Sequence, residues 1–285
     1  MKKKMALLLA AALTMTTILT GCGGGNEENA DKQSDVTAED AKEENASGDS
    51  VSEGGTVFTV GFDAEYPPYG YMDENGEYTG FDLELAQAVC DLEGWELVKK
   101  PINWDSKDME LNSGSIDCIW NGFTMNGRED DYTFSDSYVD NSQVIVVAED
   151  SGIDTLDALT GKVVGVQAAS AALELLQSEE EGGQKALADT FGSLNEFADY
   201  NTAFTELQAG ALDALAIDIG VAKYQIKSRG DGYKIVDETL NTEQYAVAFK
   251  KGNQELCDKI NADLQKLTDD GTVAELAEKY EIADM

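Results

Sequence analysis

From residue 57 onward, apolar positions fall in short β-type runs that give way, repeatedly, to helical spacing. Val57 to Phe62 is a compact run of β-formers. From Phe81 the apolar residues lie at 81, 85, 88, 89 and 92, one stripe of a helix that Gly94 ends. Residues 95–99, 116–120, 144–148, 162–166, 214–217 and 245–249 read as strands. The turn-like Asn112-Ser113-Gly114 precedes the second of these, and Leu156 to Leu159 leads into a turn at Gly161. Residues 171–176, 203–209, 256–267 and 273–280 read as helices. Such alternation predicts an α/β architecture with largely parallel sheets. About 230 residues exceed what one core comfortably takes, so two lobes are expected.

The chain before this region has a different pattern. Lys2, Lys3 and Lys4 precede an apolar stretch from Met5 to Leu19, the layout of a secretory leader and too short for a permanent span. It ends Leu19-Thr20-Gly21-Cys22, which resembles the lipobox of bacterial lipoproteins. The resemblance implies a signal peptide over 1–22 and a lipid, such as palmitate, on Cys22. The alternative is an ordinary signal peptide with Cys22 incidental. An anchor with more than one acyl chain holds a protein to a membrane without a spanning helix. Residues 23–55 carry ten acids, two bases and almost no large apolar side chain, so they predict a disordered acidic tether.

Charge and composition then remove whole classes of function. The chain has 20 Lys+Arg against 56 Asp+Glu, a net charge of −36. The tether does not explain this, because residues 56–285 alone hold 15 bases and 46 acids. A surface so acidic repels phosphate backbones, so no nucleic-acid partner is expected. There is no histidine, which removes Ser-His-Asp and Cys-His catalysis and HExxH zinc sites. The four cysteines show no CxxC spacing. No metal, cofactor or catalytic residue is expected. Cys90, Cys118 and Cys257 lie on apolar faces, as buried free thiols or with one disulfide among them.

An ordered set of short motifs crosses residues 56–285. It comprises Val60-Gly61-Phe62-Asp63-Ala64-Glu65-Tyr66-Pro67-Pro68-Tyr69, Gly80-Phe81-Asp82-Leu83, Gly122-Phe123-Thr124 with Arg128, and Phe134-Ser135-Asp136-Ser137-Tyr138. It continues with Gly161-Lys162-Val163-Val164-Gly165-Val166, Leu212-Asp213-Ala214 with Asp218, and Tyr245-Ala246-Val247-Ala248-Phe249. The set resembles the solute-binding proteins of polar amino-acid ABC importers, the bacterial extracellular solute-binding proteins of family 3. The resemblance implies a periplasmic-binding-protein-like fold of type II, with two α/β lobes, two hinge strands and a ligand cleft between. Lobe one is then 56–140 plus 246–285, and lobe two 141–245. It also implies a free amino acid as ligand, ABC permease subunits as partners, and an extracytoplasmic location.

An amino acid presents a carboxylate, an ammonium and a side chain, and each end calls for a different partner. The carboxylate suits the planar fork of arginine. Arg128 is the candidate, one of only two arginines in the chain, and its alternative is a surface pair with Glu129 or Asp130. Thr124 and Gly122 would add donors beside it. Ser170 would cap a helix starting at Ala171, whose backbone N–H groups also suit an anion. Asp218 follows a strand and matches the family's acceptor for the ammonium. Asp63 matches the contact to the ligand's distal group, and Tyr66 and Trp104 match two rings that sandwich its side chain. Glu65, Asn121 and Gln167 are further candidates. Two acids and two rings suit a cationic side chain such as arginine or lysine, with an amide or cystine-like ligand also open. Rival classes are a dehydratase-like enzyme on the same scaffold and a surface sensor or adhesion lipoprotein.

Overall fold

The structure is a computed structural model, described here for residues 55–230 and 232–282. The leader 1–22, Cys22 and the tether up to residue 54 lie outside the described residues. The chain begins with β1 (Val57–Phe62), β2 (Glu65–Tyr66), β3 (Gly70–Met72), β4 (Tyr78–Thr79), α1 (Phe81–Glu93) and β5 (Glu96–Pro101). It continues through α2 (Lys107–Ser113), β6 (Cys118–Ile119), β7 (Tyr132–Phe134), β8 (Val139–Ala148), β9 (Val163–Gln167), α3 (Ala171–Gln177) and α4 (Lys185–Ala188). Then come β10 (Ser193–Phe197), α5 (Tyr200–Gln208), β11 (Ala214–Asp218), α6 (Ile219–Arg229), β12 (Tyr233–Ile235) and β13 (Asn241–Tyr245). The last elements are β14 (Ala248–Lys250), α7 (Gln254–Asp269) and α8 (Thr272–Tyr280).

Two main sheets define two lobes. The first runs β5-β1-β6-β14-β7 and the second β10-β9-β11-β8-β12, with β13 also paired to β8. A small third sheet, β2-β3-β4, sits on lobe one. The sheets are mixed rather than largely parallel. β1 pairs parallel with β5 and β6, whereas β14 runs antiparallel to β6 and β7. In the second sheet β8 runs antiparallel to β11, β12 and β13. The reversal comes from the crossovers. The chain leaves lobe one along β8, which enters the second sheet against its parallel core, and returns along β13 into β14, which does the same in the first.

The apolar stripe of α1 is why that helix forms and where it packs. Leu85 and Val89 are fully buried, and each contributes about 1.5–3 kcal/mol by leaving water. Gly94 caps it in the left-handed conformation at φ 67°. Cys90, Cys118 and Cys257 are buried free thiols. Among the described residues no helix is long and apolar enough to cross a membrane.

This arrangement aims several strand ends at one crevice. β1 ends before Asp63, β6 just before Asn121 and Gly122, β9 before Ser170, and β11 on Asp218. Carboxyl ends of strands beside a crevice are where open α/β sheets hold ligands.

Candidate functional site

A small cavity between the lobes is lined by Tyr66, Trp104, Gly122, Thr124 and Arg128 from lobe one and Gln167, Ser170 and Asp218 from lobe two. Eight of the eleven ligand-binding candidates read from the sequence therefore meet in one place. Its free volume is about 10 Å³, room for one water molecule, so an amino acid enters only as the lobes part. Asp63 and Asn121 are buried just behind it, and Glu65 is exposed beside it.

Arg128 is only 6% exposed and pairs with neither Glu129 nor Asp130. Its Nε donates to Glu174 Oε2 at 2.9 Å, and its Nη2 lies 2.9 Å from Glu174 Oε1. The guanidinium also sits 4.6 Å from the Phe123 ring centre and donates through Nη1 to the Thr124 carbonyl at 3.3 Å. A fork from lobe one thus holds a carboxylate from the first turn of α3 in lobe two. Lys107, the first residue of α2, is buried nearby and donates to the Ala169 carbonyl at 3.2 Å. Burial, and next the positive charge of Arg128, lowers its pKa.

Two expected donors face elsewhere. The Thr124 hydroxyl donates to Glu243 Oε1 at 2.7 Å. The Ser170 hydroxyl is used in the helix cap, accepting from the Leu173 N–H at 3.2 Å and donating to the Gln167 carbonyl at 2.8 Å. What both residues leave for a ligand is backbone. Ala169 holds a left-handed φ of 54°, the turn that brings the chain into α3.

At the opposite wall, Asp218 is 3% exposed. Its Oδ1 accepts from Tyr245 Oη at 2.6 Å, Gln143 Nε2 at 2.7 Å and Asn141 Nδ2 at 2.9 Å. Burial raises its pKa, against the lowering effect of these donors and of the Tyr66 hydroxyl. Among the described residues no lysine or arginine forms an ion pair with it.

Asp63 spans the lobes. Its Oδ2 accepts from Gln167 Nε2 at 2.7 Å, its N–H donates to Asn121 Oδ1 at 2.8 Å, and burial pushes its carboxyl up to about 6. Tyr66 packs against Tyr69 and Tyr200, with ring centres 5.9 and 6.0 Å away, while Trp104 meets Phe123 edge-on at 5.7 Å. Both rings thus pack on aromatic neighbours and line the cavity. Beyond Asp63 and Trp104 runs a groove of about 700 Å³ whose lining includes Glu65, Asp105, Glu196 and Asp199 and no basic residue. Gly122 holds φ 55°, and a Cβ there would lie 3.0 Å from the Tyr245 ring and 3.1 Å from that of Tyr66. Its N–H is bound by Asp82, whose fully buried carboxyl is pushed up to about 7, burial being the main cause.

Sequence reasoning did not single out Glu174, Lys107, Asn141, Gln143 or Glu243. For the hinge trio a signal existed: Asn141 and Gln143, and Glu243 and Tyr245, alternate with period two, as inward positions of strands do.

Two hinged α/β lobes enclosing a charged crevice define a bilobal binding protein. The chain belongs to the bacterial extracellular solute-binding proteins, family 3, which it matches over residues 58–282. It is 31% identical over 238 residues to the L-cystine-binding protein TcyJ of Escherichia coli (strain K12), covering 82% of this chain and 86% of that one. It is 32% identical over 285 residues to the arginine-binding extracellular protein ArtP of Bacillus subtilis (strain 168), covering 98% of each. Its fold also matches an ABC uptake transporter substrate-binding protein from Streptococcus pneumoniae, solved with bound histidine. There the TM-score is 0.73 and the identity 34%, over 79% of this chain and 92% of that one.

Proposed function

We propose that this protein captures a free amino acid with a cationic side chain outside the cytoplasm and delivers it to the permease subunits of an ABC importer. The ligand's carboxylate takes the Arg128 fork in place of Glu174, with backbone donors at Thr124, Gly122 and Ser170. Its ammonium goes to Asp218. Its distal cation lies toward Asp63, held in place by Asn121 and Gln167, with Glu65 and the acid-lined groove beyond. Tyr66 and Trp104 flank the side chain between. Residues 56–140 with 246–285 act as one lobe and 141–245 as the other, closing about the two crossing strands. Cys22 carries the lipid that tethers the protein through residues 23–55.

The observation that supports this reading is the shared crevice itself. Arg128 from one lobe already holds a carboxylate there, and Asp218 from the other pairs with no cation among the described residues. The name of the arginine-binding relative and the acid-lined groove both favour a cation at the far end.

The test is the thermal unfolding of the purified protein with each common amino acid, ornithine and cystine. A ligand at a hundredfold excess over its Kd adds about 2.7 kcal/mol, or about 5–10 °C in Tm for a chain of this size. Arginine or lysine is expected to give the largest shift and glutamate none. Absence of any shift would favour a sensor or adhesion role, and conversion of the added compound would favour an enzyme. Labelled palmitate incorporated into the wild type and lost in Cys22→Ala checks the anchor.

A further inference from the structure

Asp218 has a buried acidic neighbour. Glu243 lies on the hinge strand β13 and is 5% exposed. Its Oε1 accepts from Thr124 Oγ1 at 2.7 Å, Asn141 Nδ2 at 2.8 Å and Gln143 Nε2 at 2.8 Å. Both of those amides also donate to Asp218 Oδ1. Two amides on β8, the other hinge strand, therefore clamp the two carboxylates, each spending one N–H on either acid. The carbonyl oxygens of Asn141 and Gln143 meet no donor among the described residues. The result is a buried cluster rich in acceptors, with no cation among the described residues paired to it.

The charged surroundings do not neutralise it. Tyr66, Tyr69, Tyr200 and Tyr245 face the pair, and burial holds all four hydroxyls protonated. On one outer side Glu243 borders a groove that also holds Glu174, Glu180 and Glu181. On the other, Asp140 and Lys223 share its groove. Arg128 reaches Thr124 and is committed to Glu174. Neither Lys223 nor Arg128 forms an ion pair with Asp218 or Glu243.

We propose that Glu243 is the second acid of the ammonium subsite, a positioning residue that makes the Asp218–Glu243 pair hold a proton which the arriving ligand ammonium expels to solvent. This rests on the assignment of Asp218 as the ammonium acceptor. Two like charges sharing the same donors in a dry site cannot both ionise at ordinary carboxylate cost. Burial raises both carboxyls, and the charge of Asp218 raises Glu243 further. An ammonium against Asp218 supplies the missing positive charge, so the bound state holds the pair ionised. Glu243 also keeps the Thr124 hydroxyl, and so the Thr124–Gly122 loop, in register with the hinge. One pair of side chains thus links the loop beside the ligand's carboxylate, the acceptor of its ammonium, and both crossing strands.

The sign follows from linkage. The free protein binds more protons than the complex, so affinity rises with pH through the range where the free pair titrates, by up to about tenfold per pH unit for one proton. Calorimetry of L-arginine binding, in two buffers of different ionisation heat, counts the protons directly. Wild type is expected to release up to about one proton per arginine at mildly acidic pH. Glu243→Gln keeps Oε1 as the common acceptor and removes the like charge, so it should release fewer protons and show a flatter pH profile. Asp63→Asn is the control, because Asp63 also titrates in this range; the Glu243-dependent part should survive it. Binding with the same proton count in Glu243→Gln and wild type would overturn the proposal while leaving the amino-acid-binding reading intact. Should arginine not bind, carbon-detected titration of the carboxyl groups in the ligand-free protein decides the matter. Two carboxyls titrating above the usual range in wild type, with Asp218 moving down in Glu243→Gln, support the pair. An Asp218 that titrates identically in both overturns it.

Discussion

The Asp218→Asn substitution should weaken binding and strengthen the fold at once. All three donors, from Tyr245, Gln143 and Asn141, converge on Oδ1. An asparagine can place its own Oδ1 there and turn its Nδ2 toward the Tyr66 oxygen, so no hydrogen bond need be lost. What is lost is a charge in a site only 3% exposed, with no cation among the described residues paired to it. Removing that desolvation cost should stabilise the free protein by at least about 1 kcal/mol, or about 2–4 °C in Tm for a chain of this size. The ligand's ammonium, by contrast, loses the carboxylate set against it in a buried site. Truncating one side of such a pair costs about 2–5 kcal/mol, a Kd raised from about thirtyfold to several thousandfold. Calorimetric titration with arginine and a ligand-free melting curve read the two effects separately. A merely structural Asp218 would give a lower Tm with unchanged affinity. Either that result, or an unchanged Kd alone, would refute the reasoning.

Three further outcomes follow from the same geometry. Arg128→Ala should weaken amino-acid binding by about 2 kcal/mol, the lower end of the range for a buried charge pair, because the fork begins its exchange already holding Glu174; wild-type affinity would contradict it. Gly122→Ala should lower Tm by about 2–8 °C, from about 1–2 kcal/mol of left-handed strain, and should weaken binding as its Cβ presses on the rings of Tyr66 and Tyr245. The ligand-free protein should lose stability as pH rises from about 4 to about 7. Asp63 and Asp82 are pushed by burial from an ordinary 3.8 to about 6 and about 7. Below 3.8 both are protonated folded or unfolded and exert no pH effect. As pH climbs past that value the unfolded chain ionises first, and the penalty grows to about 3 and 4 kcal/mol until the folded carboxyls titrate too. Melting curves from about pH 4.5 to 8 check this, and a Tm that rises steadily across that range would exclude it.

Much of the scaffold was legible because its signal is local. The stripe at 81, 85, 88, 89 and 92 becomes α1, and Val57 to Phe62 is β1 as read. The gaps are equally physical. In α6, Ile219-Gly220-Val221-Ala222-Lys223-Tyr224 carries no apolar stripe, because it packs on several sides between the lobes, so periodicity had nothing to detect. The hinge was harder still. β8 reads as a strand only from Val144, since Val139-Asp140-Asn141-Ser142-Gln143 looks like a polar turn, and Asn241-Thr242-Glu243-Gln244 likewise. These polar stretches are strands because they pair with each other, Asn141 opposite Glu243 and Gln143 opposite Asn241. That partnership is long-range and leaves on each segment no more than a period-two alternation. The run read as a single strand over 245–249 is split for the same reason: Tyr245 ends β13 in one sheet, and Ala248 starts β14 in the other. Arg128 and Asp218 could be picked out by chemistry, but Glu174 could not, since it is one acid among 56.

The two ends of the crevice are not energetically alike, and that asymmetry shapes closure. Among the polar contacts that cross between the lobes are Arg128 to Glu174, Asp63 to Gln167, Lys107 to the Ala169 carbonyl, Glu65 to Asn201 and Lys227 to Glu281. Each contributes about 0.5–3 kcal/mol net, more where a charge is involved, so closure has a driving force of its own. A ligand moves such a hinge only by binding the closed form better than the open one. On the proposed reading, the ligand's carboxylate would replace another carboxylate at the Arg128 end, in a nearly even exchange. At the Asp218 end it would bring a positive charge to acids that pair with no cation among the described residues, and only a proton would be displaced. The differential affinity that favours the closed state would therefore come mainly from the ammonium. The same reading would account for a buried acid pair on the hinge strands that meets no cation among the described residues: its destabilisation of the ligand-free form is what the ligand would relieve.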